Sequence, residues 1–205
     1  MLEALLILIV SIMFAGCIFL KRRADEINDR DHLPLHIEAV VLHTYHGRKP
    51  RYGFPTLRGR LVLRPAWLTA YRCKCPLIIP AGRVNDGRMQ GDDYRDSARR
   101  IFGHEVPIFT GEDPTARDTA GEVKEALRII RKSGARFVMV VGSEPHLFRI
   151  QRLWDQACTK DLYLTFSGEY VPPQYYLWEL AMLVAEALLP PGSRRRALAL
   201  NAVGR

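Results

Sequence analysis

Residues 136–149 read Arg-Phe-Val-Met-Val-Val-Gly-Ser-Glu-Pro-His-Leu-Phe-Arg, and their order decides the fold class. Phe137 to Val141 is an unbroken apolar run rich in β-branched residues, the pattern of a strand buried on both faces. Gly142 is predicted to end it, Ser143 to N-cap the helix that follows, and Pro145 to fit that helix's first turn. Leu147, Ile150, Trp154 and Ala157 then recur at helical spacing. Strand, turn and helix make half of a βαβ unit. Open α/β sheets bind ligands beyond the carboxyl ends of their strands, beside helix N-termini whose N–H groups are unpaired. His146 and Arg149 fall in that place, three residues apart and on one helical face.

Working outward, the same alternation repeats. Strands are predicted at 37–43, 77–80, 106–110 and 162–166, and helices within 57–71, at 92–102, 119–132 and 175–189. Pro65 should open the first of these helices late or kink it. Tyr94, Ala98 and Ile101 form the inner face of the second; Val123, Ala126, Leu127 and Ile130 form that of the third, with Gly134 as its C-cap. The last helix is read with Leu177, Leu180, Val184 and Ala187 inward, and its Glu179 and Glu186 argue against a membrane span. Alternation of this kind predicts an α/β domain with a mainly parallel sheet of about five strands, covered on both faces.

Ala4 to Leu20 carries no charge, and Lys21-Arg22-Arg23 follows at once. This is the pattern of a short, uncleaved membrane anchor, because a secretory signal has a basic start and this one has Glu3. The expected organisation is an anchor with its basic flank at 1–23, which meets the membrane through residues 2–20. A polar linker follows at 24–36, then the α/β domain at 37–189 and a basic tail at 190–205. The basic flank places the domain on the cytoplasmic side by the positive-inside rule. A hydrophobic content of 48% in 205 residues excludes a disordered chain, and a net charge of +8 suits anionic partners. Cys73-Lys-Cys75 lacks a second Cys/His pair to complete a zinc set, so no metal is expected.

The strand ends supply the candidate chemistry: His43-Thr44, Gly82-Arg83, Glu112 and Ser143 to His146. His146 is placed as a proton-transfer group, since an unperturbed imidazole titrates near neutrality. Arg149 can fork onto a phosphate, or instead pair with Glu144 or Glu112. Thr119-Ala-Gly-Glu122 matches a capping box, which leaves Glu112 and Asp118 as the carboxylates open for chemistry. Gly82 and Gly87 resemble the glycines of a P-loop, but Arg88-Met89 follows where Lys-Ser/Thr is required. The basic stretch 48–64 carries few aromatics, so no nucleic-acid partner is expected.

The order of these pieces resembles the YdcF/SanA/ElyC family. The shared features are the strand Glu38 to Leu42, a helix with Arg60, Ala66 and Leu68, and a strand ending at Gly82. Glu112, Thr119 and the pair His146 and Arg149 complete the series. His43-Thr44 stands where the family has small residues, and Glu122 where it has Asn. The resemblance implies a Rossmann-like three-layer αβα domain behind one N-terminal transmembrane helix. It also implies the bacterial inner membrane, a periplasmic domain and a role in cell-envelope biogenesis; it supplies no reaction and no cofactor. Two functions fit. One is an enzyme acting on an anionic ligand, nucleotide-like or lipid-linked, with His146, Glu112 and Arg149 as its catalytic groups. His43, Thr44, Gly82, Arg83, Asp118, Thr119, Glu122 and Ser143 would then bind the ligand. The other is a binding or regulatory module of the envelope that uses the same cleft without turnover.

Overall fold

The computed structural model describes residues 2–28, 36–45, 55–82, 84–85, 88–116, 118–158 and 161–188. Arg83, residues 29–35 of the predicted linker and the basic tail lie outside these residues. Seven strands and six helices are described: α1 (Leu2–Asn28), β1 (Ala39–Leu42), α2 (Leu57–Cys73), β2 (Leu77–Ile79), β3 (Val84–Asn85), β4 (Arg88–Met89), α3 (Gln90–Phe102), β5 (Ile108–Thr110), α4 (Thr119–Ser133), β6 (Phe137–Ser143), α5 (Glu144–Ala157), β7 (Tyr163–Glu169) and α6 (Gln174–Leu188).

Five strands form one parallel sheet in the order β5-β2-β1-β6-β7. The chain therefore winds outward from β1 through β2 to β5, then returns to lay β6 on the other side of β1. The switch of direction falls between β1 and β6, where open α/β sheets leave a crevice. β1 is apolar throughout and fully buried, as a central parallel strand requires. Val40 and Leu42 share an apolar cluster with Val62, Leu63 and Trp67 of α2 and Tyr94 of α3. Ala39 and Val41 share a second cluster with Val123 and Ile130 of α4 and Leu147, Ile150 and Trp154 of α5.

Several boundaries differ from the sequence reading. Gly142 does not end β6, which pairs with β7 through Ser143↔Glu169. Pro65 lies inside α2 and does not open it; Leu61, whose carbonyl a proline at 65 leaves without its helical donor, lies on an exposed side where water can serve it. Ile101 is exposed, although Tyr94 and Ala98 are buried as expected. Between the predicted strand at 77–80 and helix at 92–102 lie the antiparallel pair β3 and β4 and the start of α3.

The largest difference is at the amino end. α1 is long and apolar enough to cross a membrane. It does not give way to a linker at Ala24 but continues as helix to Asn28. Leu20, Ala24 and Ile27, at helical spacing, are buried. Phe19 meets Phe148 of α5 edge-to-face with ring centroids 5.7 Å apart, and the Arg23 guanidinium lies over the same ring. The Asn28 amide bonds both the N–H and the carbonyl of Gly168, on the free edge of β7. α1 is thus packed into the domain through α5, β7 and α6.

Candidate functional site

The carboxyl ends of β1 and β6 and the first turns of α4 and α5 carry a cluster of buried polar side chains. Burying polar groups costs free energy unless they are paired, so their partners matter. His43, directly after β1, is enclosed completely. The indole N–H of Trp154 donates to its Nε2 at 2.9 Å. Its Nδ1 lies 2.8 Å from Glu122 Oε2, and the Thr44 hydroxyl donates to Glu122 Oε1 at 2.6 Å. Glu122 is therefore turned from the end of α4 toward β1 and does not close a capping box. The cap is made by Asp118, whose side chain accepts from the Gly121 N–H at 2.8 Å.

Thr119 is likewise drawn away from capping. Its hydroxyl lies 3.1 Å from His146 Nε2. On the other side of that ring, Nδ1 lies 3.1 Å from Arg149 Nη2 and 3.2 Å from Glu179 Oε2. Arg149 donates through Nε to Glu179 Oε1 at 2.6 Å and through Nη2 to Oε2 at 3.3 Å. Its partner comes from α6, and Glu179 is wholly buried.

These contacts set the protonation of the site. Burial, reinforced by the Arg149 charge, lowers the His146 pKa from the usual 6.5 to about 3. Burial also acts on Glu179, but the charges of Arg149 and His146 outweigh it and hold the carboxyl well below the usual range. His146 is neutral at pH 7 and has two tautomers to choose between. Arg149 carries no acceptor, so it bonds Nδ1 only when that nitrogen is bare. Glu179 is acceptor-only when ionised, so it bonds Nδ1 only when that nitrogen carries the hydrogen. The Thr119 hydroxyl, donor and acceptor, satisfies Nε2 in either case. A neutral imidazole with so low a proton affinity offers a hydrogen bond more readily than it takes a proton.

A third group completes the cluster. Arg58 of α2 donates from Nε and Nη2 to Ser143 Oγ, at 3.0 and 2.7 Å. Ser143 thus occupies the N-cap position of α5 without capping it. The Arg58 guanidinium lies over the rings of Tyr45, Tyr175 and Trp178, at 3.9, 4.9 and 5.1 Å from their centroids, and 4.0 Å from Glu179 Oε2. Burial lowers its pKa. The Tyr45 hydroxyl accepts from the Ser143 N–H at 2.7 Å, and Tyr94 bonds the Tyr45 backbone. Burial raises the pKa of the Tyr45 phenol.

The structure brings together seven of the residues singled out in the sequence: His43, Thr44, Thr119, Glu122, Ser143, His146 and Arg149. It separates three. Glu112 is exposed and paired with Arg128 Nη2 at 3.1 Å. Asp118 is exposed as a cap. Gly82 serves the backbone: its N–H donates to the Ala116 carbonyl at 3.0 Å, and a side chain there would strike the Asp113 carbonyl. Arg83 lies outside the described residues. Sequence reasoning missed Arg58, Tyr45, Trp154 as a hydrogen-bond donor, and Glu179. A carboxylate inside the otherwise apolar stretch 177–185 was the available signal for the last of these.

The site also touches α1. Glu144, in the first turn of α5, accepts from Lys21 Nζ at 3.0 Å and from the Tyr176 hydroxyl at 2.7 Å. No protein-family model matches the sequence, and no curated protein matches it.

Proposed function

We propose that this chain is a membrane-anchored domain of the YdcF/SanA/ElyC kind, Rossmann-like and three-layered, that binds a phosphate-bearing anion in the bacterial cell envelope. The observation that carries this reading is the convergence of Arg58, Arg149 and His146, all buried, at the switch point between β1 and β6. Buried charge at such a crevice is costly for stability alone and suits recognition of an anion. The bond from Lys21 to Glu144 supports a lipid-linked ligand over a free one, because it ties the first turn of α5 to the end of the anchor helix. The state of His146 favours binding over turnover. A ring neutral at pH 7 with a pKa of about 3 is a weak general base.

Thermal unfolding of the full chain in detergent tests the proposal, with inorganic phosphate, a nucleoside diphosphate and a polyprenyl phosphate as probes. The polyprenyl phosphate is expected to raise the midpoint; a ligand at a hundred times its Kd contributes about 2.7 kcal/mol. Arg58→Lys, which keeps the charge and loses the fork, should weaken that response. The polyprenyl phosphate should be recovered chemically unchanged. A flat response to all three probes, or an equal response in Arg58→Lys, overturns the reading.

A further inference from the structure

α6 is packed inside out. Its buried stripe holds Tyr176, Glu179 and Met182, two of them polar, while Leu177, Ala181, Val184 and Leu188 form a continuous outward stripe at helical spacing. In water this arrangement leaves the apolar face of an amphipathic helix without a partner among the described residues. Its position explains it. Tyr176 and Lys21 both bond Glu144, so the start of α6 lies level with the end of the apolar part of α1. One turn on, Leu180 presses on Gly16 so closely that a side chain there would meet its methyl groups. As the numbering rises along α6 it falls along α1, so the two helices run antiparallel. At a rise of 1.5 Å per residue, Gly16 lies about 8 Å beyond Lys21 along the candidate span. Val184 and Leu188 lie on successive turns of α6 past Leu180. α1 exposes Leu8, Ile12 and Phe14 in the same part of its length.

We infer that the outward stripe of α6 faces the acyl chains of the bilayer, so that the domain is seated in the membrane by two helices and not tethered by one. The inference rests on the reading of α1 as a membrane anchor. It identifies the lipid phase as the partner of this surface, for three reasons. The stripe is continuous with the apolar face of α1. Lys21, Arg22 and Arg23 stand at the level where anionic headgroups begin. Glu179, which turns the helix this way round, is held inside by Arg149. A consequence is that the polar cluster built on Glu179 and Arg149 lies beside the lipid surface.

The test uses the full chain in phosphatidylcholine–phosphatidylglycerol vesicles. An environment-sensitive fluorescent amino acid replaces Val184, Leu188, Ile12 or Leu57, one at a time, and is challenged with an acyl-chain spin-labelled lipid or with aqueous iodide. Positions 184 and 188 should behave like Ile12: quenched by the lipid label several-fold more than Leu57, which is exposed on α2, and shielded from iodide. Iodide quenching at 184 and 188 with Ile12 protected overturns the inference and leaves the anchor standing. Iodide quenching at Ile12 as well overturns both. Shielding from both quenchers that is lost on dilution of the protein in lipid assigns the stripe to a second copy of the chain, and also overturns the inference.

Discussion

The indole of Trp154 and the imidazole of His43 meet edge-to-face, joined by the bond from Nε1–H to Nε2. Because an indole nitrogen only donates, His43 Nε2 must present its lone pair, and Nδ1 carries the hydrogen that goes to Glu122. One core tryptophan therefore fixes the tautomer of a histidine at the sheet edge, and through it the direction in which Glu122 points. Trp154→Phe keeps most of the packing and removes the donor. It should destabilise the protein by about 1–3 kcal/mol, the cost of a buried acceptor left unpaired. Denaturant unfolding reads the loss, and the nitrogen chemical shifts of His43 should move. Unchanged shifts would refute the assigned tautomer.

Glu122 separates two explanations that the sequence leaves entangled. As part of a capping box it would tolerate Gln, which serves that motif equally well. As the acceptor of two buried donors, His43 Nδ1–H and Thr44 O–H, it would not, because one face of an amide turns a donor toward them. Glu122→Gln is expected to cost about 1–3 kcal/mol, and Asp118→Ala about 1 kcal/mol as the loss of the true cap. A neutral Glu122→Gln would restore the capping-box explanation.

The carboxyl end of α1 is open to a local test as well. Asn28 supplies β7 with the donor and acceptor that an adjoining strand would offer at Gly168. An edge strand without such cover is open to exchange and to pairing with other chains. In Asn28→Ala the amides of β7 near Gly168 should exchange faster with solvent, while those of β1, at the centre of the sheet, keep their protection. Equal protection in both proteins would mean that the Asn28 contact contributes nothing to holding α1 on the domain.

The parallel sheet was legible because its signals are local. The run Phe137–Val141 reads as a doubly buried strand, and Pro145 fits the first turn of a helix. The stripe of α4 was legible for the same reason: its four core residues leave one face to choose. α6 was not. Its sequence offers two apolar faces, one through Leu177 and Val184 and one through Tyr176 and Met182. The choice between them is made by Glu179, whose partner Arg149 lies far away in sequence. Arg58 was hidden for the same reason. It reads as one of several basic residues on a surface helix, and only Ser143, brought beside it by the sheet, gives it a role. His43 and Thr44 are far from Glu122 in the sequence, and both are bonded to it.

The same burial predicts a pH dependence of stability whose sign can be worked out. His146 has a folded-state pKa of about 3 against an ordinary value of 6.5. Between these values the unfolded chain binds a proton that the folded chain refuses, so stability rises with pH there. The contribution is complete above 6.5 and is lost as pH falls toward 3, with a slope of up to about 1.4 kcal/mol per pH unit. Glu179, whose pKa is also held down, acts in the same direction, but only as pH falls below its ordinary value of 4.5. The interval from 6.5 to 4.5 therefore isolates His146 from Glu179. His146→Gln offers Arg149 an acceptor and Thr119 a donor without a titrating group. Its denaturant-derived stability should fall less steeply than that of the wild type across this interval, so the difference between the two proteins changes with pH. Parallel curves from 6.5 to 4.5 would show that the imidazole takes up its proton in the folded state as readily as in the unfolded one. The proposed binding role of His146 as a neutral ring would then fall.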